Sequence, residues 1–349
     1  MNKCLVAMSG GVDSSVAAYL SKQSGYETIG VTLKLNNTQQ NNSNLGCDDI
    51  SLAKQVCDTL GIEHKVIDFC PDFEKNVINR FVNGYLTGET PNPCVDCNRY
   101  IKFPKMFEIA DSMGAEFIAT GHYASIEKAG DRYLLKKGAF DMKDQSYVLY
   151  SLKQSQLSRI KFPIGNLKKE DVRKIATDMN FSNSNKPDSQ DICFIKDTDY
   201  VSYIERRLSR KFEEGDFVDK NGSFIAKHKG IISYTIGQRK GLGIASTEPY
   251  YVIGKDIENN RVILGRMIDQ FCESMTVKDV NFILFDKLER EYKCNVKIRY
   301  KHKETPATLI PLDDGRVKVV FVEPQKAVTK GQSAVFYNGD YVVGGGKIE

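Results

Sequence analysis

No apolar run in the 349-residue chain approaches the ~20 residues that span a bilayer, which excludes a transmembrane helix. The first residues lack the charged, apolar and cleavage-site layout of a signal peptide. Asn2-Lys3 leads straight into a strand pattern, so the expected location is cytoplasmic. Tryptophan is absent, which decides nothing, and no internal repeat stands out. Nine cysteines are scattered along the chain without a secretory signal. That excludes a disulfide framework and leaves catalysis or metal binding for any special cysteine. The net charge of +4 hints at a polyanionic partner and no more. With 41% apolar and 27% charged residues the composition is that of a soluble globular protein. The length suits two or three domains of ~100–200 residues.

Hydrophobic periodicity gives the first half an alternating βα pattern. Cys4–Met8 reads as a strand, Asp13–Ser24 as a helix stopped by Gly25, and Tyr26–Leu35 as a strand. Asn36–Asn44 is a polar loop, Asp48–Leu60 a helix, Ile62–Phe69 a strand, and Asp72–Leu86 and Phe103–Met113 are helices. Glu116–Thr120 is the next strand. The alternation predicts α/β architecture, a parallel sheet with helices on both faces. Leu167–Met179 and Tyr200–Leu208 read as the last helices. Beyond them the chain is β-rich, with hairpin signals at Asp219–Gly222 and Glu258–Asn260 and further turns at Asp313–Gly315 and Asn338–Asp340. The expected domains are 1–203, Rossmann-like and catalytic; 204–274, small and β-rich; and 275–349, a C-terminal β-barrel.

A Gly-rich turn links the first strand to the first helix, yet it has no lysine. A Walker loop needs one to reach the β/γ-phosphates. In "MSGGVDSS", Gly10 and Gly11 admit a phosphate close to backbone, and the helix start supplies N–H donors and positive potential. Ser9, Ser14 and Ser15 are read as further donors. Asp13 would repel phosphate unless Mg2+ stood between them, so it is read as a metal residue. A loop that grips the β/γ pair as a unit suits pyrophosphate as leaving group. The bland reading is a serine-rich helix cap.

Cys94 and Cys97 lie in "GETPNPCVDCNRYIKF", where Pro91 and Pro93 put them on a loop or at a helix mouth. Arg99 and Lys102 nearby would lower a thiol pKa. No second Cys-x-x-Cys exists to complete a zinc site. Cys193, in "DSQDICFI", read alone is a buried small hydrophobe.

"SGGVDSS" resembles the PP-loop ATP pyrophosphatases, which include synthetases of small metabolites. Together with "TPNPCVDCN", "IATGHYA", "KDQSYVLY", "DICFI", "TIGQRKGLG" and "IRYKHK", it resembles the tRNA-specific 2-thiouridylases from Lys3 to Gly346. The resemblance implies ATP-dependent 2-thiolation of the wobble uridine, U34. The base O2 is adenylated, persulfide sulfur is transferred, and 2-thiouridine, AMP and pyrophosphate result. It implies that ATP binds across Ala7, Met8, Ser9, Gly10, Gly11, Val12, Asp13 and Ser14, with Leu33 and Gly121 near adenine and ribose. Cys193 would carry the persulfide, and Cys97 would free the sulfur and leave a Cys97–Cys193 disulfide. The implied RNA contacts are Asn92, Pro93, Cys94, His122, Lys143, Asp144, Gln145, Arg299, Tyr300 and Gln332; read alone, His122 is as much a packed structural residue. The implied partners are tRNA for Lys, Glu and Gln, and a sulfur-relay protein or cysteine desulfurase as donor. One departure stands out: relatives carry Asp, assigned as a general base, where this chain has Cys94. Cys94 or Asp96 would replace it. ATP and Mg2+ are the expected cofactors, with an iron–sulfur cluster on Cys94, Cys97 and Cys193 as the alternative. Basic pairs such as Lys136–Lys137 and Lys168–Lys169 read as solvated faces singly and as a tRNA footprint together. The rivals are another AMP-forming PP-loop enzyme and a non-catalytic RNA- or metal-binding module.

Overall fold

The computed structural model describes residues 2–36, 45–188, 192–195 and 199–349. Most of the polar loop expected at 36–44 lies outside them. Five parallel strands form the first sheet: β1 Lys3–Ala7, β2 Glu27–Lys34, β3 Glu63–Asp68, β4 Phe117–Ala119 and β7 Ile160–Lys161. Their order is β3-β2-β1-β4-β7. Alternate residues of β1 feed opposite faces. Leu5 packs with Phe103 and Met106, whereas Cys4 and Val6 pack with Val16, Ala17 and Val56. A strand buried on both sides needs the unbroken apolar run seen in the sequence. The order reverses between β1 and β4, which opens a crevice at the carboxyl ends of these two strands, the usual ligand position in such sheets. The loops after β1 and after β4 both end there.

A hairpin, β5 Ala124–Ala129 and β6 Arg132–Lys137, was overlooked in the sequence. It leaves the parallel sheet and joins the C-terminal sheet, where Lys136 pairs with Tyr341. The central sheet comprises β8 Gly215–Asp219, β9 Phe224–His228, β10 Tyr251–Asp256 and β11 Arg261–Gly265, in the order β10-β11-β8-β9. Its hairpin turns fall on the expected signals, with Gly222 and Asn260 at positive φ. The last six strands are β12 Phe271–Phe282, β13 Tyr292–Lys297, β14 Thr305–Pro311, β15 Val317–Lys326, β16 Ser333–Asn338 and β17 Tyr341–Ile348. They close into a barrel because β12 pairs with both β15 and β17. Among the described residues no helix is long and apolar enough to cross a membrane.

The barrel is seated on the catalytic domain by buried polar contacts. Tyr147 donates to the Ser333 carbonyl at 2.7 Å, and Asn281 donates to the Tyr150 and Leu152 carbonyls. Arg299 donates to the carbonyls of Ile236 and Ala327 and to Thr329 Oγ1. It thereby ties the barrel to the central domain, which is a different use from the RNA contact expected of it.

Candidate active site

The phosphate loop runs from Met8 to Gly11 and feeds the helix Val12–Gln23. Gly11 is the N-cap residue and no side chain caps the helix, so its first N–H groups face the crevice without a side-chain partner. This disposes of the serine-cap reading. Ser14 and Ser15 both donate to the Gly11 carbonyl, at 2.9 and 3.0 Å, and Ser14 Oγ lies 3.2 Å from Ser9 Oγ. The hydroxyls expected to point at phosphate instead brace the loop. Gly10 has φ +72°, and a Cβ there would stand 2.3 Å from the Asp49 carbonyl oxygen. Gly121, after β4, packs its backbone on the loop's other side; a Cβ would meet the Asp13 carbonyl carbon at 2.7 Å. Two strands at the switch point thus clamp the helix start. Leu33 lies half-buried on β2 among the core residues of the same face.

The loop lacks its own lysine, but tertiary structure brings two. Lys169, first residue of the helix Lys169–Asp178, lies 2.7 Å from Asp13 Oδ1, and the Tyr123 hydroxyl donates to the same oxygen at 2.8 Å. Gln145 in turn holds Tyr123, accepting its backbone N–H at 3.0 Å. Lys186 donates to the Gly10 carbonyl at 3.2 Å and pairs with Asp49, while Asn183 donates to the same carbonyl at 3.0 Å. Asp188 accepts from Lys143 at 2.8 Å, Lys169 at 2.7 Å and Arg173 at 3.0 Å. Burial opposes its ionisation, yet the bonds from Lys143 and Lys169 prevail and take the carboxyl down to about 2. Sequence reading missed Tyr123, Asn183, Lys186 and Asp188 as loop partners. The only signal was Lys168–Lys169, read as a basic pair for RNA.

Cys94, Cys97 and Cys193 lie near enough to one another for their charges to interact. Pro93–Cys97 forms one helical turn, with Pro93 at the start and the Asn92 side chain accepting from the Cys94 N–H at 3.1 Å. Asn92, expected at the target base, here serves as the cap, and Pro93 is buried. A π-helical turn, Asn98–Lys102, joins this segment to the helix Phe103–Ser112. Pro104 has no N–H to return to the preceding turn, which favours such a bulge. Cys193 arrives from the far side of the sequence. Phe194 packs edge-on against Phe73 and Phe81, at 5.8 and 5.3 Å, and Ile195 is buried in the same cluster. Cys97 and Ile192 pack on that cluster too. Cys94, Cys97 and Cys193 all carry free thiols.

Electrostatics correct one expectation. Poor solvation pushes Cys97 up to about 11 and Cys193 up to about 12, and it raises Cys94 as well. Cys94 and Cys193 keep open surface, but the protein crowds them, so accessibility and weak solvation coexist. Cys94 and Cys97 are close enough to Cys193 for their charges to add to its rise, and Lys102 pulls all three down by less. The basic neighbourhood is therefore real but outweighed, and the resting thiols are protonated. Lys102 also donates to His122 Nε2 at 3.3 Å, leaving Nδ1 to face Thr120 Oγ1 at 2.7 Å. His122 is buried beside Phe103 and Phe162, and its burial, then Lys102, hold it neutral. It is a packed residue in this structure, not a surface contact.

Asp96 does not replace the missing carboxylate at position 94. It is 3% exposed and faces Lys347 of the barrel at 3.9 Å, with burial raising its pKa. Asp144 is buried as well, accepting from the N–H groups of Gly138 and Ser146 and from the Ser146 hydroxyl. Of the other expected RNA residues, the Tyr300 hydroxyl donates to the Asp144 carbonyl at 3.1 Å and Gln332 donates to the Thr90 carbonyl at 2.7 Å. Gln332 thereby ties the barrel to the segment before Cys94, and Tyr300 ties it to the segment after the β5–β6 hairpin. Among the described residues no three His, Cys, Asp or Glu side chains converge as a metal site. The three thiols thus do not fit an iron–sulfur cluster as placed here.

A parallel sheet with a glycine-serine phosphate loop at its switch point defines a nucleotide-binding domain of the PP-loop class. Residues 2–197 match the family described as tRNA methyl transferase HUP domain. Residues 201–266 match a tRNA methyl transferase PRC-barrel domain, and residues 272–348 an aminomethyltransferase β-barrel domain. A protein of Clostridioides difficile (strain 630) named tRNA-specific 2-thiouridylase MnmA is 49% identical over 353 residues, covering 99% of this chain and 98% of its own. One of the same name from Acetivibrio thermocellus is 49% identical over 355 residues, covering 99% of each. The chain belongs to the tRNA-specific 2-thiouridylase MnmA family. Among solved structures, a U34-tRNA thiolase, NcsA from Methanococcus maripaludis with its [4Fe-4S] cluster, is 18% identical. It has a TM-score of 0.36, over 60% of this chain and 64% of its own.

Proposed function

We propose that the protein thiolates C2 of the wobble uridine, U34, of tRNA at the expense of ATP. The reading is supported by Cys97 and the two neighbours of Cys193, Ile192 and Phe194, packing on one apolar cluster, with the two thiols near enough for their charges to interact. The uridine O2 attacks the α-phosphate and pyrophosphate leaves. Asp13 would hold Mg2+ against the triphosphate once Lys169 turns to phosphate, and the ion would neutralise charge on the leaving pyrophosphate. The terminal sulfur of a Cys193 persulfide bonds to C2, and AMP departs with the former O2. Cys97, as thiolate, attacks the Cys193 sulfur. The S–S bond to the transferred sulfur breaks and its electron pair stays with the thiocarbonyl, leaving a Cys97–Cys193 disulfide. A thiol reductant supplies the two electrons that reopen it. Cys94 and Tyr300 would flank the flipped base, with Gln332 on the RNA side. The tRNAs for Lys, Glu and Gln are the substrates, and a cysteine desulfurase or relay protein supplies the persulfide.

The family descriptions mention methyl transfer, but a phosphate loop and paired thiols suit adenylation and sulfur transfer. The test is anaerobic reconstitution with tRNA transcript, Mg-ATP, a cysteine desulfurase and cysteine, read by mass analysis of the anticodon nucleosides. Cys97→Ser and Cys193→Ser should each lower 2-thiouridine at least 100-fold while tRNA-dependent pyrophosphate release persists. Undiminished 2-thiouridine from either variant refutes the sulfur route.

A further inference from the structure

Three cations converge on one carboxylate next to the phosphate loop. Lys169 and Arg173 project from the same helix one turn apart, and Lys143 approaches from the segment after the β5–β6 hairpin; all three bond Asp188. Lys169 is also bonded to Asp13, the second residue of the loop's helix, so this cluster adjoins the uncapped helix start. The side chain of Lys169 is 13% exposed and that of Asp188 24%, while Lys143 and Arg173, at 36% and 35%, form the open side of the cluster. Two carboxylates, Asp13 and Asp188, face three cations here, which leaves a surplus positive charge. A single carboxylate is a poor match for three donors; a multiply charged anion with several oxygens is a better one.

We propose that Lys143, Lys169 and Arg173 form the seat of the nucleotide's pyrophosphate moiety, and that Asp188 occupies this seat when no nucleotide is bound. The seat provides from three distant segments the positive charge that a Walker loop carries in its own lysine. Asp188 competes with phosphate for it, and displacement frees a residue five positions before Cys193. The inference rests on ATP being the nucleotide. It goes further in naming the side chains that hold the leaving group and the one that must yield. Arg173 also donates to the carbonyls of Ser184 and Lys186, so a purely structural clamp is the competing account.

Calorimetric titration of the full chain with Mg-pyrophosphate, AMP and tRNA, each alone, separates the two. In Asp188→Asn the affinity for pyrophosphate should rise about five- to tenfold, with AMP and tRNA unchanged. Lys169→Met should lower pyrophosphate affinity at least tenfold and leave AMP unchanged, thermal unfolding confirming that it is folded. Unchanged or weakened pyrophosphate binding in Asp188→Asn overturns the proposal and makes Asp188 a clamp. Tighter tRNA binding with pyrophosphate unaffected overturns it in favour of an RNA phosphate site. Failure of the unaltered protein to bind AMP or ATP would instead remove the nucleotide reading on which it rests.

Discussion

The resting state of Cys97 can be measured directly through alkylation as a function of pH. A free thiol near pKa 8.5 is roughly 10% thiolate at pH 7.5. With Cys97 pushed up to about 11, the fraction falls to roughly 3 × 10⁻⁴, about 300-fold lower. A more basic thiolate is intrinsically more nucleophilic. A Brønsted slope of ~0.4–0.5 over 2.5 units returns about a factor of 12 and leaves a net suppression of about 25-fold. The assay is iodoacetamide labelling of the intact chain, quantified on the peptide that contains Cys97. The logarithm of the rate should climb with a slope near one from pH 7 to pH 10. In Lys102→Met the rate should fall a further three- to tenfold at each pH, because the one cation that draws all three thiols down is gone. A plateau by pH 9, or no response to Lys102→Met, would show that burial does not govern this thiol. Protonated resting thiols would also resist adventitious oxidation until substrate changes their surroundings.

Gly10→Ala should lower affinity for a fluorescent ATP analogue at least tenfold and lower the melting temperature. The left-handed backbone costs ~1–2 kcal/mol, and the new methyl group meets backbone of the helix Leu45–Leu60 at 2.3 Å. Gly25→Ala is the control: its φ is +84° with nothing within 4 Å of a Cβ, so it should lose only the strain energy and bind nucleotide normally. Lys347→Met removes the cation facing buried Asp96 and should destabilise the protein by about 2 kcal/mol at pH 8, read by denaturant unfolding. Burial already raises the Asp96 pKa, and the substitution raises it further. A raised carboxyl loses stability as pH rises through its folded pKa, so the deficit should shrink as pH falls toward 4. A deficit that is constant across this range would refute the assignment.

Local chemistry made much of the catalytic domain readable. The run Cys4–Met8, the helix stop at Gly25 and the glycines of the phosphate loop each act within a few residues, and the structure places strand, helix and turn there. The Asp219–Gly222 turn was legible for the same reason, since Asp219 accepts the N–H groups of Asn221 and Ser223 within its own hairpin. The hairpin Ala124–Lys137 is a local pairing across a turn with Gly130 at positive φ, and that signal was overlooked; its attachment to Tyr341, some 200 residues away, leaves no local trace.

The sequence by itself determined the class of chemistry: a phosphate loop without lysine, a Cys-x-x-Cys turn opened by proline, and a lone cysteine beside an apolar pair. Tertiary structure alone decided what charge reaches those groups. It brings Lys169 and Lys186 to a loop that has no cation, and it gives Lys143 to Asp188. It turns Asp96 and Arg299 into domain seats, and crowds the thiols with enough protein to outweigh Lys102. Solvation and Coulomb energy depend on distance in space, and the order of residues along a chain does not record it.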